Sequence, residues 1–377
     1  MPRAFIHIGM PKTGTSAFQL FLRDHADWLS EQGIRVIRSG QSAVTGAHHH
    51  LARAICGLPT TPDEFGLAES AGRELRSIGD SNVLMSSEGL SATLKAPEFR
   101  SRLLRFIRSC GFQPVIIMYV GDRFHNANTR YAQGTKSLSQ VYSFVDFVRG
   151  NGVRHSLPHW RTFHAQPGVE FILRPYTESV RQHGIVADML EAIGIKESPP
   201  VPDGRANVSP GPIAVGLNRW MGRYVYDRRI ALNAAQRNQL SRRLLDEVGP
   251  MHPDTEPYCG ITPELAAIIE TDTRPFLDDL AITVWGKHWG DLFPRTSEKN
   301  WMSNDIEAPG TPRPSVDVWR DMQQRAIGLM EAIRDEPRLA HMSGGVDALS
   351  DALETTGVSI RRLNAEYLAR HMPEGGR

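Results

Sequence analysis

Six residues near the start of the chain, Pro11-Lys12-Thr13-Gly14-Thr15-Ser16, combine a lysine, a glycine and three hydroxyls between a short apolar run and a stretch of helical periodicity. A strand that feeds such a loop and then a helix makes an anion cradle, because loop amides and the helix N-terminus converge on one point and favour negative charge there. Lys12 adds a full positive charge, and Thr15 and Ser16 are expected to cap the helix while offering hydroxyls to a phosphate oxygen. Gly9 and Gly14 stand in the relation of a Walker A loop, yet Thr15 occupies the position where that motif requires lysine. The lysine lies inside the loop instead.

Other residue types suited to chemistry lie further on. Glu88, in Ser86-Ser87-Glu88-Gly89 directly after an apolar run, is a candidate general base for a hydroxyl proton. The bland alternative is a carboxylate that only offsets a helix dipole. His48-His49-His50 could supply a base, but three adjacent side chains cannot all face one site, and their spacing is poor for a metal. Arg174 could meet an anion or pack on aromatic neighbours such as Tyr176. Asn207 and Ser209 could close over a nucleotide or simply form a turn before Pro210. Trp220, Met221, Trp285 and Trp289 read as core.

The elements that must position these groups follow from the apolar pattern. Ala4–Ile8 reads as a buried strand ending at Gly9, residues 17–23 as an amphipathic helix, and Ile34–Ile37 as the next strand after Gly33. Asn82–Met85, Pro114–Val120 and Val169–Leu173 are further short apolar runs bounded by turn or helix signals. Strands alternating with helices predict an α/β fold, a central parallel sheet flanked by helices on both faces. Ligands of such sheets sit at the carboxyl ends of the strands.

From about residue 203 to residue 293 the chain reads as mainly helical. Residues 294–316, with Pro294, Pro309, Pro312 and Pro314 among polar residues, have linker composition. Residues 317–335 and 346–371 read as two amphipathic helices within a C-terminal helical appendage, 317–377, expected to dock on the body or on a second copy of the chain. The expected organisation is therefore an α/β domain over 1–293, a linker over 294–316 and the appendage.

A chain of 377 residues with 40% hydrophobic and 23% charged content is an ordinary globular composition. Its formal net charge of +1 argues against holding nucleic acid by bulk electrostatics. Cys56, Cys110 and Cys259 are far apart and lack zinc or disulfide spacing, as expected of thiols in a reducing compartment. No apolar run reaches the ~18 residues of a membrane span, and no signal-peptide pattern opens the chain, so the expected location is cytoplasmic.

Pro11-Lys12-Thr13-Gly14-Thr15-Ser16 resembles the 5'-phosphosulfate loop of the sulfotransferase family that uses 3'-phosphoadenosine-5'-phosphosulfate (PAPS), particularly its bacterial members. Weaker likenesses extend it over roughly residues 3–293: Ser86-Ser87-Glu88-Gly89, Leu173-Arg174-Pro175-Tyr176 and Asn207-Val208-Ser209. The resemblance implies a P-loop NTPase-like three-layer fold. It implies transfer of a sulfuryl group from PAPS to a hydroxyl or amine of a saccharide, lipid or small metabolite, leaving adenosine 3',5'-bisphosphate (PAP), without a metal. Lys12 and Glu88 would be catalytic, and Lys12, Thr13, Gly14, Thr15 and Ser16 would hold the donor.

The family's grip on the donor's 3'-phosphate is an arginine at a strand end and a serine about eight residues on. With Tyr131 and Gln133 as anchors, Gly121 falls at the arginine position and Thr129 at the serine position. Threonine keeps the hydroxyl and glycine loses the charge. Arg123 and Arg130 are near enough to replace it, with Arg123 the first choice; the alternative for Arg123 is an exposed pair with Asp122, worth ~0 to 1 kcal/mol. A kinase or nucleotide hydrolase would need lysine at position 15 and an acidic magnesium ligand ending another strand. A nucleotide-binding protein without turnover is the other rival.

Overall fold

Five apolar runs become five strands: β1 (Arg3–His7), β2 (Ile34–Val36), β3 (Asn82–Ser86), β4 (Gln113–Gly121) and β5 (Glu170–Tyr176). The computed structural model describes residues 1–10, 13–59, 64–150, 152–153, 160–197, 210–254, 256–294, 301–308 and 310–336. All the strand pairings are parallel, in the order β2-β3-β1-β4-β5. Ile6 lies opposite Met85 on one side and Ile116 on the other, which fixes the registers of the three central strands.

Near-continuous apolar strands are what burial on both faces requires, because alternate side chains must enter two separate cores. Ile6, Met85, Ile116 and Met118 point into one core with Leu51, Leu103 and Ile107 from the helices His49–Cys56 and Pro97–Ser109. Phe5, Leu84, Ile117 and Tyr119 point into the other, with Phe18 and Leu22 of the helix Thr15–Asp24 and Met189 of the helix Ile185–Ala192. Each fully buried side chain of this size stabilises the fold by ~1.5–3 kcal/mol relative to exposure. The sheet is thus the middle of three layers.

The connection out of β1 runs toward β2, and that out of β4 runs toward β5 on the opposite edge. Divergent connections leave a crevice at the carboxyl ends of the two neighbouring strands, and the loop after β1 lies at this switch point.

The sheet belongs to a compact unit made of Met1–Asp122, Leu157–Asn207 and Arg274–Thr296. The second unit contains Arg123–Ser156, Val208–Thr273 and Ser297–Arg377, so stretches read in sequence as parts of one α/β domain pack separately. Its core includes Leu217 and Met221 of the helix Pro212–Asp227, Leu240 of Ala234–Arg243, and Met322, Ala326 and Met330 of Val316–Arg334. The second helix expected over 346–371 lies outside the described residues.

Residues 301–308, read by composition as linker, contribute Ile306 to this core and Asp305 to a buried ion pair. Arg219, fully buried, donates to the two oxygens of Asp305 at 2.7 and 2.8 Å and to the Tyr131 hydroxyl at 2.6 Å. Tyr258 donates its hydroxyl to Asp305 at 2.8 Å. Burial pushes the Asp305 carboxyl up, but the Arg219 hydrogen bonds and charge outweigh it and hold the group below the usual carboxylate range. No helix among the described residues is long and apolar enough to cross a membrane.

Candidate functional site

The chain leaves β1 through Gly9, whose φ of +48° lies in the left-handed region. A Cβ there would stand 2.7 Å from Thr15 Cγ2 and 3.1 Å from Glu88 Cβ, so only glycine lets the loop and the β3 end come this close. Thr13 donates its hydroxyl to the Met10 carbonyl at 2.8 Å, tying the loop back on itself. Pro11 and Lys12 lie outside the described residues.

The helix begins at Thr15, and its N-cap is Gly14 at φ +77°, ψ +10°, with no side-chain cap hydrogen bond. The expected capping by Thr15 and Ser16 is therefore corrected: both already stand inside the first turn, because Gly14 takes the left-handed turn. A Cβ on Gly14 would come within 2.9 Å of Ile185, so the helix start seats directly against a neighbouring helix. The amides of Thr15 and Ser16 have no upstream carbonyl within the helix, which is the anion-binding property of such a terminus.

The Thr15 hydroxyl, buried, does not point to open solvent. It donates to Glu88 Oε2 at 2.7 Å. Ser16 is exposed. The structure therefore brings together Thr13, Gly14, Thr15, Ser16 and Glu88 at the carboxyl ends of β1 and β3, with Gly121 at the end of β4 beside them. A Cβ at Gly121 would lie 3.7 Å from Thr13 Cγ2 and 3.9 Å from Tyr176 Cδ1, ordinary contact distances.

Behind Glu88 lies a buried polar layer that sequence reasoning missed. His7 Nδ1 is hydrogen-bonded to Ser86 Oγ at 2.8 Å, and Gln19 donates to the same oxygen at 3.3 Å. His7 Nε2 has no hydrogen-bond partner among the described residues, its ring lies edge-on to Phe18 and Tyr119, and burial pulls its pKa down to about 3. The ring is neutral at physiological pH. Polar residues at the end of an otherwise apolar strand, His7 and Ser86, were the available signal.

The three consecutive histidines part company. His48 is buried and bonded to the Ile37 carbonyl at 2.6 Å and the Ser86 amide at 3.2 Å. His49 Nδ1 is bonded to Ser87 Oγ at 2.9 Å, beside Glu88, and burial lowers its pKa against the pull of the Glu88 carboxylate. His50 turns away to Glu64 at 2.6 Å. No group of three or more His, Cys, Asp or Glu side chains among the described residues is arranged to hold a metal ion.

Arg174 is occupied. It forms a bidentate pair with Asp188, at 2.8 and 2.7 Å, and the Tyr119 hydroxyl donates to the same carboxylate at 2.6 Å. The partner, Asp188, lies on the helix Ile185–Ala192, which sequence pattern did not connect with Arg174. Arg123 and Thr129 belong to the second unit. Arg123 forms a salt bridge with Glu270 there and lies 5.0 Å over the Phe124 ring. Thr129 turns its hydroxyl back to the His125 carbonyl at 2.8 Å. Burial alone acts on Arg130, lowering its pKa.

Asn207 and Ser209 lie outside the described residues. Met221 and Trp289 are buried as core, and Trp285 donates its indole N–H to the Leu173 carbonyl at 2.9 Å. Comparison of the chain with protein-family models, curated proteins and solved structures gives no match.

Proposed function

We propose that the chain is a sulfotransferase that moves a sulfuryl group from PAPS to a hydroxyl or amine, in a P-loop NTPase-like fold. The observation that carries this reading is the meeting of Glu88 with the first turn of the helix after β1, through Thr15 at 2.7 Å. A carboxylate held beside an anion cradle can accept a proton from an acceptor lying between it and the donor's sulfur. The sheet order and the place of the loop at the switch point support the same reading.

In this scheme the acceptor oxygen bonds to sulfur as its proton passes to Glu88. The bond from sulfur to the 5'-phosphate oxygen breaks, and its electron pair stays on that oxygen, which leaves as PAP. The amides of Thr13 to Ser16 and the ammonium of Lys12 would stabilise the charge that grows there. Thr15 orients the base; its hydroxyl need not touch the phosphate.

The test combines binding and transfer. PAP should raise the melting temperature, with ATP and magnesium giving a much smaller shift, since a ligand of the native state stabilises by mass action. Lys12→Ala should stay folded and lose most transfer from PAPS. Equal or greater stabilisation by ATP favours a kinase or hydrolase, and PAP binding without transfer to a broad acceptor panel favours a binding protein. A near-normal rate in Lys12→Ala ends the loop assignment.

A further inference from the structure

β2 and β3 pair regularly as far as Val36 and Leu84, the Ile37 amide still donates to the Leu84 carbonyl at 3.1 Å, and from there a side chain joins Ile37 to Ser86. His48, at the N-cap of the helix His49–Cys56, inserts its imidazole between the strand ends. Ser86 N–H can only donate and the Ile37 carbonyl can only accept, so the 3.2 Å bond to Nδ1 and the 2.6 Å bond to Nε2 define the neutral tautomer with its proton on Nε2. The His48 amide also donates to the Ser86 carbonyl at 2.8 Å, so the residue grips both backbone polar groups of Ser86. Next to it His49 holds Ser87, and the Ser87 amide donates to the His7 carbonyl at 2.9 Å.

We infer that His48 is a positioning residue for Glu88: bridging Ile37 and Ser86, it sets the course of residues 86–88 that brings the Glu88 carboxylate to Thr15. The inference rests on the reading of Glu88 as the base. Burial keeps the ring neutral, and the charged or titratable groups facing it are Glu74 from the helix Leu67–Ser77 and the adjacent His49. A neutral ring suits the task, because a proton on Nδ1 would expel the Ser86 N–H from its acceptor. Glu88 lies two residues beyond Ser86, in the turn that follows β3, and a stretch that short has little room to absorb a backbone shift before it reaches the carboxylate.

Two variants test this. His48→Asn places a side-chain oxygen where Nδ1 stands; His48→Phe keeps a ring and loses both side-chain hydrogen bonds. Crystal structures of wild type and variants should show the Thr15–Glu88 hydrogen bond kept in His48→Asn and lost in His48→Phe. His48→Phe should lower turnover about 10²-fold with the donor KM unchanged, the cost of misplacing a reacting group by an ångström. His48→Asn should recover most of the rate. In a Glu88→Gln background, His48→Phe should add no further loss, because it acts through Glu88 alone.

A Thr15–Glu88 bond intact in His48→Phe, or an additive loss in the Glu88→Gln background, overturns the assignment. Should His48→Phe fail to fold, His48→Gln, which reaches Ile37 but not Ser86, carries both readings. If the wild type transfers no sulfuryl group, the proposed function falls, while the crystal structures still decide whether His48 positions Glu88.

Discussion

Thr15 and Glu88, 73 residues apart in the chain, meet in a 2.7 Å hydrogen bond in which the threonine hydroxyl donates to the carboxylate. The bond joins the helix start after β1 to the turn after β3, and Gly9 is the residue whose missing side chain permits it. A donated hydrogen bond to a charged group is worth ~1.5–3 kcal/mol, or roughly 10- to 100-fold in rate if it orients a base. Thr15→Val is therefore expected to lower turnover by about that factor and Thr15→Ser to restore it. Indistinguishable rates in the two variants would show that the hydroxyl does not serve Glu88.

Glu88→Gln preserves size and hydrogen bonding while removing basicity. Turnover is expected to fall ~10²- to 10⁴-fold with donor affinity roughly unchanged, since a base acts on the acceptor proton and not on the nucleotide. Single-turnover transfer and calorimetric PAP binding on one preparation separate the two quantities. A retained rate would pass the role to His49, the histidine of the 48–50 run that lies beside Glu88.

His7 makes stability depend on pH. Its native pKa of about 3 lies below the 6.5 of the free side chain because burial penalises the imidazolium. The unfolded chain therefore binds a proton below pH 6.5 that the native state refuses until about pH 3, and stability is lost as pH falls through that window. One such group contributes a slope of about 1.4 kcal/mol per pH unit. His48, depressed by burial as well, adds a loss of the same sign. Denaturant midpoints measured through the acid window should show a slope shallower by one proton in His7→Phe; equal slopes would mean that native His7 takes up a proton as freely as the unfolded chain.

In the second unit, Asp305→Ala takes from buried Arg219 the carboxylate it binds at two oxygens and leaves it only the longer carboxylate contact, to Glu307 at 3.2 Å. Breaking one side of a buried pair typically costs ~3–5 kcal/mol, far more than an exposed pair is worth. The variant is expected to unfold at clearly lower denaturant concentration, whereas Arg223→Ala, which removes a half-exposed pair with Glu307, should shift the midpoint little. Similar midpoints for both would place the stability of this unit in its apolar core alone.

The five strands were legible as apolar runs because a parallel sheet buried on both faces demands side chains such as Phe5-Ile6 and Val115–Met118 in unbroken succession. The turn between β1 and the following helix was legible too, since Gly9 and Gly14 both take the left-handed conformations that glycine favours. Those features are local, and a linear pattern records them. The pairing of Thr15 with Glu88, the bridge of His48 between Ile37 and Ser86, the capture of Arg174 by Asp188 and that of Arg219 by Asp305 join segments 11 to 86 residues apart. A composition that reads as linker around Asp305, or as one of three equivalent histidines at His48, cannot reveal them. Only the tertiary structure decided which polar groups share a buried place, because a buried donor or charge must find its partner wherever the packed chain brings one within about 3 Å.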